Sequence, residues 1–490
     1  MRIIYGIFIF VNTIFCICGA QNSKNTKISP DICSICICNS RDKYINCANQ
    51  QLSRLFSVND WITVNSSTNQ PALDHVEFDN NGIEVVTQFP DLNIRILSLK
   101  NNKIIKIEAA AFQNITTLEV LDLSMNRLTF AALNENVFQG RYNAYIYEPL
   151  KNLKWLSLAN NDIHTLHDDV FDHLNALETL ILCHNPFKII NHNSQIAISS
   201  LPNLKTLDLG TMELSDLPEQ IFHAANQLRN LSLSGNLFEK LPKALLHARN
   251  LKELNFDDNL VQHFGFNKST FPSLLKLETL SISYMPKLKT IGNGTFHNLP
   301  ALLHFSCRYN PHLTEINAHA FVIAKDSKWP DLQTFIVSNN KLSTIDQQLI
   351  LRWEDIQEID IRYNPWKCDC ENQWMIDTLM PLIKEKSKDT PVLSEIMCES
   401  PIEMHGWSFA KIHDKKYHMR CEDYYDRRPE RDGPVLVGIF IGLFIGIPIA
   451  MAILVIYRRG CFGIFGYRPS PNSFGRAFYK RTGLSEDMYI

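Results

Sequence analysis

One spelling of apolar residues returns twelve times between Leu73 and Trp366, and a register held over that length restricts the chain to a stack of similar units. Leu118, Leu121, Leu123, Asn126 and Leu128 read LxxLxLxxNxL, and the same frame recurs at Leu153, Leu156, Leu158, Asn161, Ile163 and at Leu228, Leu231, Leu233, Asn236, Phe238. The Asn position marks the register at residues 81, 102, 126, 161, 185, 212, 236, 259, 285, 310, 340 and 364, in steps of 21 to 35 residues. Met212 and Met285 replace Asn at two marks, where a looser turn is expected.

The spacing has a mechanical meaning. Residues two apart in a strand share a face, so Leu121 and Leu123 point inward while Val120, Asp122 and Ser124 point out. Each unit holds half a core and buries it only by stacking on its neighbours, which builds a parallel sheet along a solenoid. The mark Asn is suited to bond backbone groups left open by the turn after each strand. Phe112, Phe138, Phe171, Phe222, Phe296 and Phe321 fall late in their repeats and are expected to fill the opposite side of the stack.

Location is written at the ends. Met1 and Arg2 lead into an apolar run to Ile17, followed by Cys18, Gly19 and Ala20, the form of a secretory signal over residues 1–20. A second run, Val435 to Tyr457, carries no charge over 23 residues and is about 34 Å long as a helix, enough to cross a bilayer. Arg458, Arg459, Arg468, Arg476, Lys480 and Arg481 follow, against Glu486 and Asp487. That bias places the tail, 458–490, in the cytosol and the repeats outside, as a single-pass type I protein at the plasma membrane. A net charge of −3 offers nothing to nucleic acid.

Of thirteen cysteines, Cys16 and Cys18 leave with the signal, and eight others stand in two clusters of four that flank the repeats. Sequence alone allows three pairings in each cluster. Zinc is the competing reading for Cys33 and Cys36, and an oxidising compartment disfavours it.

The repeats, the first cluster and the run Asn364, Pro365, Trp366, Cys368, Asp369, Cys370 together resemble the extracellular leucine-rich-repeat proteins with cysteine caps at both ends, as in Toll ectodomains and Slit. The resemblance covers about two thirds of the chain and implies an α/β solenoid, a horseshoe of about twelve repeats with a parallel concave sheet. It also implies the pairs Cys33 with Cys38, Cys36 with Cys47, Cys368 with Cys398 and Cys370 with Cys421. The divisions then read 28–72 for the first cap and entry segment, 73–363 for the repeats, 364–421 for the second cap, 422–434 for a stalk and 435–457 for the membrane helix. The tail is too short for a kinase or a Toll-type signalling domain.

Contact surfaces are sought on the outward strand positions. The column before the second inward residue carries Ile96, Val120 and Trp155 in succession, with Ile181 beside them, an expected exposed apolar row. The column before the mark carries Tyr284, Tyr309 and Tyr363, near Arg308 and Arg362, a composition typical of contact surfaces. Both patches also suit plain strand propensity. The longest step adds Gly140 to Lys151, with Tyr142, Tyr145 and Tyr147, either a contact loop or a packed one. Glycan acceptors are spelled at Asn65, Asn114, Asn230, Asn267 and Asn293; Asn230 differs in sitting on a strand, facing the sheet's open side.

Smaller signals remain. Cys307 takes an inward position and reads as a core thiol, whereas Cys183, just past a strand, is either packed or reactive. Gly438, Gly442 and Gly446 form one face of the membrane helix on which two helices approach closely, so a homodimer is one expectation. Cys461 beside the membrane is a palmitoylation candidate. Met488, Tyr489 and Ile490 resemble the carboxyl terminus that PDZ domains bind. The chain spells no catalytic or metal-ligating constellation, so the reading is a non-enzyme without cofactor. Its function is read as protein binding at the cell surface, for adhesion or cell recognition. The alternatives are a co-receptor subunit in innate immune or growth-factor signalling and a matrix-organising structural protein.

Overall fold

The computed structural model describes residues 31–39, 41–61, 73–143, 145–147, 150–265, 269–323, 328–386, 391–421 and 432–458. Two units divide the chain, one ending at Met419 and the other beginning at Arg420. The first is built on a 14-stranded sheet in strict chain order. Its strands are β1 (Ile37–Asn39), β2 (Tyr44–Asn46), β3 (His75–Glu77), β4 (Ile96–Ser98), β5 (Val120–Asp122), β6 (Trp155–Ser157) and β7 (Thr179–Ile181). They continue as β8 (Thr206–Asp208), β9 (Asn230–Ser232), β10 (Glu253–Asn255), β11 (Thr279–Ser281), β12 (His304–Ser306), β13 (Thr334–Ile336) and β14 (Glu358–Asp360). β1 and β2 form an antiparallel hairpin, and every later strand joins in parallel. The twelve repeats expected from the spelling correspond to β3 through β14.

Each repeat strand is three residues long with its middle residue buried, from Val76 and Leu97 through Leu231 to Ile359. A short strand cannot bury an apolar row alone, so the core is shared along the stack and runs unbroken from Ile32 to Met419. On the far side the phenylalanines form columns. Phe89, Phe112, Phe138 and Phe171 follow one another at 6.2 to 6.3 Å between ring centres. Phe271, Phe296 and Phe321 do the same at 5.6 and 4.6 Å.

From Asn102 onward the mark asparagines are buried, and most of them hold consecutive repeats together. Asn161 donates through Nδ2 to Leu158 O at 3.0 Å in its own turn and to Leu123 O at 3.1 Å in the repeat before, while its Oδ1 accepts from Leu128 N at 2.9 Å. Asn126, Asn185, Asn236 and Asn340 repeat the pattern across their own junctions. At Met212 and Met285 the looser turn expected from sequence is not what the bonding shows. Met212 N donates to Asn236 Oδ1 at 3.1 Å and Met285 N to Asn310 Oδ1 at 2.8 Å, so the following repeat supplies the bond, and both thioethers are buried.

Lids close both ends, as an exposed terminal repeat would otherwise wet the core. At the first, disulfides join Cys33 to Cys38 and Cys36 to Cys47, and Trp61 packs on Phe56, Phe78 and Phe89. At the second, Cys368 is joined to Cys398, Trp366 Nε1 donates to Ile361 O at 3.0 Å, and Trp353 bridges Phe335 and Trp374. Cys370 and Cys421 are each disulfide-bonded.

In the second unit Gly433–Tyr457 is a 25-residue helix, long and apolar enough to cross a membrane. A π turn, Gly442–Gly446, interrupts it just before Pro448, and Ile447 N–H reaches back to Gly442 O. Proline has no N–H and crowds the preceding turn, and widening that turn absorbs both effects without breaking the helix.

The asparagine bonds make a direct prediction. Replacing Asn161 by Ala strands Leu128 N in the core, while Leu123 O and Leu158 O keep the amides of Asn126 and Asn185, and should cost about 1–3 kcal/mol in denaturant unfolding of the full-length protein; a loss below about 0.5 kcal/mol would contradict a bonding role for the amide.

Candidate functional site

The pairing register places the first residues of the repeat strands side by side, so Ile96, Val120 and Trp155 are direct neighbours across β4, β5 and β6. Ile181 lies two positions further along on β7, opposite Ser157. All four are half-buried rather than exposed. The exposed row expected from sequence is therefore a recessed floor, because each of these side chains is flanked by a strand on either side and covered in part by its neighbours.

A second column differs. The residue before each mark has left-handed backbone in all twelve repeats, at residues 80, 101, 125, 160, 184, 211, 235, 258, 284, 309, 339 and 363. Asn, Gly and Asp occupy six of these positions and suit the geometry. Tyr284, Tyr309 and Tyr363 do not, with φ of 57°, 57° and 55°, in a conformation that costs an ordinary L-residue roughly 1–2 kcal/mol. The turn throws their rings outward, 48%, 45% and 51% exposed, and Tyr284 and Tyr309 stack at 4.9 Å. The sequence pointed to these tyrosines by composition; the backbone strain beneath them has no signal in single residue types.

Polar groups frame the stacked pair. The Asp257 carboxylate accepts from Ser281 Oγ at 2.7 Å and Ser283 N at 2.6 Å. Burial pushes its pKa up, opposed by those bonds and by the charge of Arg308, which is exposed two repeats away. Ser283 Oγ contacts Ser306 Oγ at 3.1 Å, which continues a hydroxyl floor beneath the rings. Arg362, grouped with Arg308 by sequence, is committed elsewhere. It bonds Asp360 and Glu395, both at 2.8 Å, and holds Asp360 below the usual carboxylate range despite burial. Tyr363 bonds Glu395 as well and is thereby tied to the second lid.

The remaining candidates disperse. Asn230 is half-buried on β9 and its amide donates to Glu253 on β10. Asn114 donates to Phe89 O at 3.0 Å, and Asn293 is exposed in a turn. Asn65, Asn267, Cys461, Met488, Tyr489 and Ile490 lie outside the described residues. The insertion after Gly140 forms a small hairpin, Tyr142–Asn143 with Ile146–Tyr147, tethered by Arg141 to Asp91 at 2.8 Å, and it leaves Tyr142 and Tyr145 exposed. Gly438 and Gly442 have open space where a Cβ would stand, while Gly446 meets Ile441 O at 3.7 Å. Cys307 is fully buried and accepts from Asn310 Nδ2 at 3.2 Å. Burial pushes the half-buried Cys183 thiol up to about 12, and the Asp208 carboxylate beside it adds to the effect, which disfavours the thiolate.

Residues 93–141 and 147–187 match the family model for the leucine rich repeat, and residues 243–350 match that for the BspA type leucine rich repeat region. The chain is 26% identical to Podocan-like protein 1 of Mus musculus over 279 residues, which is 52% of this chain and 46% of that protein. It is 29% identical to lumican of Coturnix japonica over 233 residues, 47% and 62% of the two, and 24% identical to CD180 antigen of Mus musculus over 328 residues, 66% and 42%. The chain thus spans less than two thirds of the length of these curated relatives. Among solved structures, a chain of the octameric complex of Latrophilin 3, Unc5D and FLRT2 aligns with a TM-score of 0.49 at 18% identity, over 78% of this chain and 97% of that one. A chain of the Toll–Spatzle complex aligns with a TM-score of 0.43 at 20% identity, over 72% and 56%.

The raised thiol gives a test of the packed state. Iodoacetamide at about pH 8 should alkylate Cys183 in the folded protein more than a hundredfold more slowly than an ordinary free cysteine, and Asp208→Asn should narrow that gap; equal rates would mark Cys183 as a reactive group.

Proposed function

We propose that this chain, which carries leucine-rich repeats in a capped parallel-sheet solenoid, is a cell-surface receptor that binds another protein, in adhesion or cell recognition. Residues 1–20 direct secretion, Gly433–Tyr457 crosses the plasma membrane once, and the basic run from Arg458 keeps the tail in the cytosol, as a single-pass type I protein. The observation that carries the reading is the stacked, exposed pair Tyr284 and Tyr309, held in left-handed backbone beside Arg308. Strained residues that persist on a surface are commonly kept for what they contact, and tyrosine with arginine makes a rigid, hydrogen-bonding patch. The recessed floor of Ile96, Val120, Trp155 and Ile181 is the secondary contact, suited to a protruding apolar side chain.

Glycans at Asn65, Asn114, Asn230, Asn267 and Asn293 complete the surface in this reading. A glycan at Asn230 stands between the two patches and directs the partner to one or the other. Cys370 pairs with Cys421, Cys461 carries a palmitoyl chain, Gly438, Gly442 and Gly446 pair two membrane helices, and Met488, Tyr489 and Ile490 engage a PDZ protein. The tail passes any signal through such partners. The co-receptor reading predicts capture of a soluble ligand together with a second membrane protein, and the matrix reading predicts shedding within 422–434.

Beads or cells displaying the full-length protein decide between these. Adhesion predicts clustering, which Tyr284→Ala with Tyr309→Ala should reduce by more than about tenfold, as expected when central aromatic contacts are removed. Trp155→Glu should have the smaller effect, and clustering untouched by the tyrosine pair would remove the observation on which the function stands. Glycopeptide mass spectrometry should find Asn230 modified; a bare Asn230 leaves the whole open face available.

A further inference from the structure

The residue just before each strand forms a continuous column along one edge of the sheet. Arg95 N donates to Asp74 O, Glu119 N to Arg95 O, Lys154 N to Glu119 O, and the chain of bonds continues through Glu178, Lys205, Arg229, Lys252 and Glu278. From Asp74 to Lys205 the charges alternate strictly in sign, and the ion pairs follow. Arg95 meets Asp74 at 2.8 Å and Glu119 at 3.2 Å, Lys154 meets Glu119 at 3.6 Å, and Lys205 meets Glu178 at 2.8 Å.

The alternation breaks once. Arg229 stands where an acid is due, between Lys205 and Lys252, and each lysine turns to the acid on its far side, Lys252 to Glu278 at 2.6 Å. Among the described residues Arg229 has no ion-pair partner, and it is exposed. Like charges one strand spacing apart oppose the sheet they decorate, so this arrangement is unfavourable without an external anion. Arg249 and Lys276 are exposed in the two repeats that follow, with Lys276 Nζ donating to Asn250 Oδ1 at 2.7 Å. The same few repeats contribute the acids Glu178, Glu253 and Glu278, the first and last paired as described and Glu253 bonded by Asn230.

We propose that Arg229, Arg249 and Lys276, flanked by Lys205 and Lys252, form a docking strip for a sulfated polysaccharide. The cations of the column succeed one another at the strand spacing of about 4.8 Å, in a line along the stack, which suits a linear polyanion. Two residues before these cations stand the amides Asn203, Gln227 and Asn250, Gln227 Nε2 donating to Asn203 Oδ1 at 2.9 Å, and not the aromatic anchors that fix a folded protein partner. Sulfated polysaccharides are linear, densely charged extracellular polyanions, and on this point the inference rests on the repeats lying outside the cell.

The probe is immobilised heparin, with the full-length protein in detergent micelles. Three uncompensated cations predict that log retention falls against log salt with a slope of about −2, by release of condensed counterions. Arg229→Gln should flatten the slope by about 0.7, and the triple variant Arg229→Gln, Arg249→Gln, Lys276→Gln should lose retention at about 0.15 M salt. Arg229→Glu completes the alternation, so it should melt at or above the temperature of the parent protein while retention falls, which separates binding from folding. The proposal is overturned if the triple variant elutes with the parent, or if the remote pair Lys103→Gln with Lys341→Gln shifts elution as far. It is also overturned if poly-glutamate competes as well as heparin, the outcome expected of an acidic protein partner. A parent protein that clusters but is not retained on heparin would sink this proposal alone, and one that is retained but does not cluster would sink only the reading of the tyrosine pair.

Discussion

Most of the repeat units depend on an asparagine amide at the mark. A strand of three residues followed by a sharp turn leaves carbonyls pointing into an apolar interior, and an unpaired one there costs more than a typical hydrogen bond contributes. Asn161 and its counterparts answer from the next repeat, donating to two turns at once and accepting from a third group. Leucine burial supplies most of the driving force, but it is non-directional. The amides fix the register, and the register aligns the outward columns.

Once the columns are aligned, each has its own physics. The first strand position is recessed between neighbouring strands. The left-handed position before the mark throws its side chain clear of the sheet. The residue before the strand faces its equivalent at one strand spacing, where sign decides between attraction and repulsion. The surface of the solenoid is therefore a set of parallel tracks, and a residue's exposure follows from its track more than from its type. That is why Tyr309 is freely exposed while Trp155, larger and more apolar, is half covered.

The fold was legible in the residues because a repeat states its geometry many times over. The inward leucines, the twelve strands and the phenylalanine columns all followed from spacing, and the family resemblance implied the lids. What spacing could not show was occupancy. It grouped Arg362 with Arg308, although the first is bound between Asp360 and Glu395 through a residue of the lid some thirty positions away. It expected loose turns at Met212 and Met285, where the following asparagine supplies the bond. It left Cys183 undecided, because the burial that pushes its thiol up, and the Asp208 carboxylate that adds to it, come from packing against the adjacent repeat. In each case the deciding partner lies one repeat or more away in sequence, and a reading confined to residue types within one repeat does not contain it.

The amide bridges also have a direction. Asn126, Asn161 and Asn185 reach backward, to the carbonyl of the repeat before their own, so these junctions are closed by the later member of the pair. Tension applied from the carboxyl side would meet the asparagine of the last repeat first, Asn364, and its departure exposes only groups that the next asparagine in line does not cover. Peeling under load would thus run stepwise toward the amino end, one ring at a time, with the disulfide-clamped Trp366 lid as the latch that must open before the first step.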